Sequence, residues 1–385
     1  MGAVLVLNSG SSSIKFALFD QGLQQVLSGS ATEIGGPSVL TLTSATAEQI
    51  EDRTALPTHA AALDAILQQL AKRGIDIATL SGAGHRVVHG GAHLQSSCIV
   101  TDVVADQIRQ CEALAPLHNP HNLAAILALK TLAPDLPQVA CFDTAFHSSN
   151  PAVAVRYALP DTPEMRPLRR YGFHGISYQG LVASLRDAPG SRLPPRLLAL
   201  HLGNGASLCA IKDGRSVATT MGYSPLEGLT MGTRCGTLDA NLALHLAATH
   251  GIAETTALLN KRSGLLGLGG HSDMRALHAD GSAAARFAVQ HFCYWAVRHS
   301  GSMIAAMGGL DGIAFTGGIG ENDAQVRQAI LDGLSWLGVA ADLQRNAQNA
   351  SRIDLPDSDI SVWIVEAGEE KTIAADALRL LETAK

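Results

Sequence analysis

VLVLNSGSSSIKFALFD, residues 4–20, consists of two apolar runs separated by small polar residues. Val4–Leu7 and Ile14–Phe19 have the β-branched and aromatic content of strands, so the stretch predicts a hairpin. Its connection is long. A two-residue Asn-Gly turn would join two strands with less chain, yet here six residues intervene, with Gly10 expected at positive φ. Such a loop can gather several backbone N–H groups around one anion; a plain polar hairpin is the other reading. The same outline recurs at residues 197–214, LLALHLGNGASLCAIKDG, as strand, Gly/Asn/Ser loop, strand and turn. Two such hairpins half a chain apart predict two related domains, each presenting a phosphate-sized loop. Chance likeness between hydrophobic hairpins competes with that reading.

Outward from these hairpins the chain alternates strands and helices. Leu63, Ile66, Leu67 and Leu70 line one helical face over 58–73, closed by Lys72 and Arg73 and stopped by Gly74. Pro120, at a first helical position, leads Leu123, Ile126 and Leu127 into a second helix, and the strand QVACFD then delivers Asp143 to its end. Near the C-terminus IAFT runs into the loop GGIGEN and a helix bearing Val326, Ile330, Leu334 and Leu337. SVWIV then runs into EAGEEK and a helix bearing Ile373, Leu378 and Leu381. The pattern is α/β. A proline-rich, aperiodic stretch at 148–170 marks the expected domain boundary.

The bulk numbers narrow the function classes. A chain of 385 residues exceeds one ordinary core. Net charge is −6 without a basic run, which argues against nucleic acid. No apolar run approaches a membrane span and no secretory leader is visible, so a cytoplasmic protein is expected. The six scattered cysteines, with no CxxC, fit reduced thiols.

Polar residues concentrate in GHRVVHGG (84–91), LAPLHNP (114–120), FDTAFH (142–147), RRYGFHG (169–175) and EGLTMGTRCGTLD (227–239). His85, His89 and His93, and His118 with His121, invite a zinc reading, but no cysteine or carboxylate joins them at ligand spacing. Arg86 and Arg234 sit among glycines and apolar residues, an unusual setting for surface ion-pairing arginines. No Walker A and no complete GxGxxG occurs, so phosphates would bind in the hairpin loops and at the GGIGEN strand–helix turn.

VLVLNSGSSSIK, GHRVVHGG, LAPLHNP, FDTAFH, RRYGFHG, HLGNGAS, MGTRCG and TGGIGEN stand in the order and approximate spacing of the acetate kinase family, and the chain resembles that family from residue 3 to about 375. The resemblance implies two duplicated actin-like, ribonuclease H-like α/β domains with an active-site cleft between them. The first, 1–148 with 371–385, would take the acyl substrate; the second, 149–370, the nucleotide. It implies transfer of the ATP γ-phosphoryl group to acetate, giving acetyl phosphate and ADP, with propionate or another short-chain acid as the alternative acceptor. A carboxylate is already nucleophilic at neutral pH, so positioning and cations carry the catalysis.

By the same resemblance, Arg86 would hold the substrate carboxylate, and Arg234 and His174 would contact the equatorial oxygens of the transferring group, with His118 in support. Asp143 would act through magnesium or as a polar partner. Asn8 and Glu369 would hold Mg²⁺, with Mn²⁺ as a substitute, and Ser11, Ser13 and Lys15 would surround the phosphates. ATP would further meet His201, Leu202, Gly203, Asn204 and Gly205, then Asp273, Met274 and Arg275, and Gly318, Ile319, Gly320, Glu321 and Asn322. Val88, Leu117, Phe173 and Pro225 would form the acyl pocket, where one methylene is worth only about 1–3 kcal/mol. A homodimer is implied as well. Ala367-Gly368-Glu369-Glu370 departs from the family's Asn-Glu-Glu, and 264–275 departs before SDMR, which bears on the metal and adenosine contacts. A nucleotide-gated binding module would be expected to lack Arg86, Arg234, His174 and Asp143. A sugar kinase would want Asp143 as a base.

Overall fold

The computed structural model describes residues 2–44, 49–188 and 192–383; residues 1, 384 and 385, at the ends of the first expected domain, lie outside the described residues. Two compact units divide the chain. Met1–Phe146, Gly175–Gly180 and Gly368–Lys385 form the first, and His147–His174 with Leu181–Ala367 form the second. Glu369 therefore belongs to the first unit.

The first unit holds strands β1 (Val4–Ser9), β2 (Ile14–Phe19), β3 (Gln25–Thr32), β4 (Val39–Ser44), β5 (Gln49–Asp52), β6 (Gly82–Val87), β7 (Cys98–Ile99) and β8 (Gln138–Phe142). They form one sheet in the order β5-β4-β3-β2-β1-β6-β8-β7. The second holds β9 (Arg196–Leu202), β10 (Ala206–Lys212), β11 (Arg215–Thr219), β12 (Gly312–Thr316) and β13 (Ser361–Ile364), in the order β11-β10-β9-β12-β13. Five strands repeat one plan. Antiparallel β3-β2-β1 followed by parallel β6 and β8 matches antiparallel β11-β10-β9 followed by parallel β12 and β13. The duplicated α/β architecture read from the two hairpins is present.

β1 is apolar from Val4 to Leu7 because both faces of that run are covered. Leu5 and Leu7 join the cluster beneath helix His59–Ala71, with Leu63, Ile66 and Leu70. Val4 and Val6 face the C-terminal helix Glu369–Thr383 through Ile373, Ala377 and Leu381. Contact there is close: a Cβ on Gly84 of β6 would stand 2.6 Å from Ile373 Cγ2. Each of the four β1 side chains is at most 1% exposed, so truncating one to alanine would cost about 2–4 kcal/mol. In the second unit the long helix Ala283–Met307 packs against β9, β10 and β11.

Several local expectations need correction. β1 continues through Asn8 and Ser9, which pair with Lys15 and Ile14, so the hairpin loop is only Gly10–Ser13. Gly10 N–H donates to Ser13 O at 2.8 Å, and Gly10 does not take the positive φ expected of it. Four residues close such a turn with ordinary backbone once pairing persists through Ser9. GGIGEN is itself a short helix, Gly317–Asn322, entered through Gly317 at φ +79°. Asp323 then breaks to an extended conformation and caps the next helix, Ala324–Gly333, which ends before Leu334 and Leu337. Pro120 stands second in helix Asn119–Leu132, behind Asn119.

Candidate active site

In the first unit, parallel pairing of β6 with β8 puts Arg86 opposite Cys141 and leaves Asp143 just past the end of β8. Arg86 Nε and Nη2 donate to Asp143 Oδ1 and Oδ2 at 3.0 and 2.7 Å, a bidentate fork. The third contact is looser, with Arg86 Nη1 3.5 Å from Glu369 Oε2 at the start of the C-terminal helix. Burial opposes the arginine's charge, but Asp143 and Glu369 override it and hold the guanidinium above its usual range. Burial also pushes the Asp143 carboxyl up. Arg86 opposes that shift, Glu369 adds to it and His118 opposes it. His118 ends the turn before helix Asn119–Leu132. Arg86, Asp143, Glu369 and His118 thus form one electrostatic group. Its donors to a metal are hard carboxylate oxygens. Mg²⁺ needs only one or two of these beside its waters, so the residues fit a hard divalent cation.

The strand end is fixed by two asparagines that sequence reasoning passed over. Asn122 Oδ1 accepts from Val88 N (3.1 Å) while its Nδ2 donates to Ser9 O (2.7 Å). Asn119 accepts from His89 N (3.0 Å) and donates to His89 O (2.9 Å). Both asparagines belong to HNPHN, where the histidines carry the more distinctive pattern. Val88 is 8% exposed and Leu117 49% exposed. Asn8 and exposed Lys15 are register partners and so share a face beside the loop carrying Ser11 and Ser13. His59 Nε2 lies 2.6 Å from Gly10 O, and its ring stacks on His121 at 5.3 Å. Burial lowers His85 and His89 to about 4. Among the described residues no three His, Cys, Asp or Glu side chains gather as a ligand set.

In the second unit the β9–β10 loop, Gly203–Gly205, occupies the place of Gly10–Ser13. His174 adopts a left-handed conformation (φ 58°, ψ 21°), costly for a residue with a Cβ and held by its surroundings. Its Nδ1 meets Ser207 Oγ at 2.9 Å, and its ring stacks on His201 at 4.1 Å. Phe173, 1% exposed, leaves its carbonyl 2.9 Å from buried His147 Nε2. Gly172 is required before it, because a Cβ there would meet the His147 ring at 2.5 Å. Arg234 Nη1 donates to Pro225 O at 2.6 Å. It has no carboxylate partner among the described residues, and burial lowers its pKa. A Cβ on Gly205 would stand 3.1 Å from Arg234 Nη2 and 3.3 Å from His174 Nε2, so both cationic or proton-bearing groups flank this loop.

One cavity of about 810 Å³ adjoins the loop and collects Gly203, Asn204, Asp273, Met274, Arg275, Gly318, Ile319 and Asn322, with His278 and Asp323 added. The other expected nucleotide residues of this unit are outside that lining. Leu202 is core, His201 supports His174, and Gly320 is buried within its helix. Glu321 Oε1 accepts from Gly317 N and Ala367 N, both at 3.0 Å, which ties the short helix to the chain end of the unit. Lys15, Ser11, Ser13 and Asn8 lie in the first unit, as do Val88 and Leu117, whereas Phe173 and Pro225 lie in the second.

Comparison with known proteins agrees in extent with this geometry. The Acetokinase family profile matches residues 3–375. The acetate kinase of Methylocella silvestris is 43% identical over 98% of both chains. The crystal structure of Porphyromonas gingivalis acetate kinase superposes with a TM-score of 0.91 at 35% identity, covering 99% of this chain and 100% of that one. A propionate kinase from Francisella tularensis subsp. tularensis SCHU S4 superposes at 0.92 with 34% identity, over 98% and 99%. Matched along nearly its whole length in sequence and in backbone, the chain belongs to the acetokinase family.

Proposed function

We propose that this protein transfers the γ-phosphoryl group of ATP to acetate: the bond from γ-phosphorus to the β–γ bridging oxygen breaks, one from phosphorus to a carboxylate oxygen forms, and ADP leaves. The observation that carries the reading is Arg234, a desolvated guanidinium without an acidic partner among the described residues, set with His174 around Gly205. Cations aimed where phosphoryl charge spreads are the main catalytic need of this reaction, since the acceptor brings its own lone pair. Ser207 and the His201 stack hold the His174 ring in one orientation. In the first unit Asp143 takes the Nε–Nη2 edge of Arg86 and leaves the Nη1 corner, where Glu369 is 3.5 Å away, as the place for an acyl carboxylate.

Asn8 and Glu369 are the residues that would hold Mg²⁺ or Mn²⁺, which would neutralise triphosphate charge when bound, and Asp143 is linked to Glu369 through Arg86. The first unit accordingly takes the acid, with Val88 and Leu117 against its methyl group, and the second takes ATP. Propionate is the second acceptor considered, supported by the Francisella relative. All six cysteines are free, which suits a cytoplasmic enzyme, and no helix among the described residues is long and apolar enough to cross a membrane. Exposed Leu244 and Ile252, on adjacent helices of the second unit, favour a homodimer.

The test is trapping of acyl phosphate by hydroxylamine with ATP, Mg²⁺ and acetate, propionate or butyrate. Hydroxamate formed fastest with acetate supports the proposal, and propionate fastest changes the acceptor. No hydroxamate from protein that binds ATP would overturn it.

A further inference from the structure

His278 and Asp323 were not singled out in the sequence, yet both line the 810 Å³ cavity. His278 Nε2 lies 2.8 Å from Asp323 Oδ2, and the side chains are 26% and 13% exposed. Asp323 is held twice, because its Oδ1 also accepts from Val326 N (3.0 Å) as the cap of helix Ala324–Gly333. A carboxylate only accepts, so the proton of the His278–Asp323 bond is on Nε2, and in the neutral ring Nδ1 is an acceptor. Nδ1 makes no hydrogen bond among the described residues.

The cavity has a direction. Its Gly203–Asn204 end joins the loop flanked by Arg234 and His174. A Cβ on Gly203 would lie 3.9 Å from Gly318 N, so the short helix starts at that end. At 1.5 Å per residue, its far end and Asp323 are about 7–8 Å further along. With phosphates at the loop, the far end meets the nucleoside.

From this geometry we propose that the His278–Asp323 pair determines nucleotide specificity, with His278 Nδ1 accepting a hydrogen bond from the nucleoside, either the exocyclic amine of adenine or a ribose hydroxyl. The inference rests on the kinase reading above. Asp323 sets the polarity: it fixes the Nε2 tautomer and thereby makes Nδ1 an acceptor. Replacing it by asparagine keeps the cap through the amide oxygen, but the amide N–H then donates to Nε2 and moves the ring proton to Nδ1. The acceptor becomes a donor.

The experiment measures KM for ATP, ITP and 2′-deoxy-ATP at pH 8 with wild-type protein, Asp323→Asn and His278→Gln. ITP has an oxo group where ATP has its amine. Expected for wild type is a KM at least about fivefold higher for ITP (amine donor) or for 2′-deoxy-ATP (hydroxyl donor), the scale of one hydrogen bond. Asp323→Asn should shrink that ratio at least about fivefold, and for the amine donor should favour ITP. His278→Gln should preserve it, because its amide N–H can donate to Asp323 while its oxygen accepts. Equal KM values for the three nucleotides in wild type, or a ratio that Asp323→Asn leaves unchanged even if all affinities fall together, would overturn the assignment. A wild-type protein that bound none of the three would instead remove the kinase reading, and this inference with it.

Discussion

Gly205→Ala is the sharpest probe of the phosphoryl site. The position has no positive φ to defend, so the substitution acts through space alone. The added methyl would stand 3.1 Å from Arg234 Nη2 and 3.3 Å from His174 Nε2, tighter than ordinary contact by a few tenths of an ångström on each side. Neither neighbour yields freely. Arg234 is held by Pro225 O at 2.6 Å, and His174 sits between Ser207 and the His201 ring. Overpacking of this kind costs about 1 kcal/mol or more. Loss of glycine's unfolded-state freedom returns about 0.4–1 kcal/mol. The net change in stability is near zero, so Tm should move by no more than about 2–4 °C. The rate should respond far more. The methyl presses on two groups that must both reach one phosphoryl group, and a shift of a few tenths of an ångström is a fraction of the 1 Å misplacement that costs about 10²-fold. Hydroxamate trapping with saturating ATP and acetate, beside thermal melts, measures both quantities. We expect kcat to fall about 10-fold with Tm nearly unchanged. A kcat within about threefold of wild type, from protein that melts normally, would show that Arg234 and His174 do not frame the transferred group.

Arg234→Ala should lower kcat by about 10³ or more with the fold intact, measured by the same trapping assay; a near-normal rate would refute its role. Val88→Ala should move preference toward longer acids by about 1–3 kcal/mol, read as the ratio of kcat/KM for acetate and propionate. An unchanged ratio would take Val88 out of the pocket. His85, His89 and His147 are neutral and buried, each lowered by burial to about 4. Because their folded values lie below the unfolded one, the unfolded chain binds the extra protons, and stability is lost as pH falls from 6.5 toward 4. Each ring should cost about 3 kcal/mol by pH 4, seen as a falling urea midpoint that flattens in His85→Gln.

The fold was readable where local pattern and tertiary placement coincide. Apolar runs flanking two small-residue loops gave both hairpins, and the capped amphipathic helices followed from Leu63, Ile66 and Leu70 or Leu123 and Ile126. The failures share a cause. Whether Asn8 and Ser9 are strand or loop depends on Lys15 and Ile14 pairing across from them, and whether GGIGEN is loop or helix depends on how Gly317 leaves β12. Neither partner is visible from the segment alone. Within the candidate site, residues in a distinctive motif are legible in the sequence, whereas Asn119, Asn122, Ser207, His278 and Asp323 are not. Their importance lies in what they hold, and a supporting asparagine or serine has no spacing of its own.

The repeated strand order explains why so much chemistry is separable by unit. Open α/β sheets offer the carboxyl ends of their parallel strands to ligands, and in both sheets candidate residues lie at such ends. At the end of β6 the charged residue Arg86 meets an acid, Asp143, and its edge is neutralised. At the equivalent end of β12, Glu321 spends its oxygen on two backbone N–H groups and Asp323 is taken by a helix cap and by His278, while the nearby hairpin loop is flanked by His174 and by Arg234, which has no carboxylate partner among the described residues. A guanidinium already held by Asp143 and Glu369 suits a small anion that must be positioned and then released. Unbalanced positive charge suits a polyphosphate whose own charge completes the site. Each unit's charge balance thus follows from the residues that a shared strand plan leaves at corresponding ends, so the assignment of acid to one unit and ATP to the other rests on electrostatics as well as on kinship.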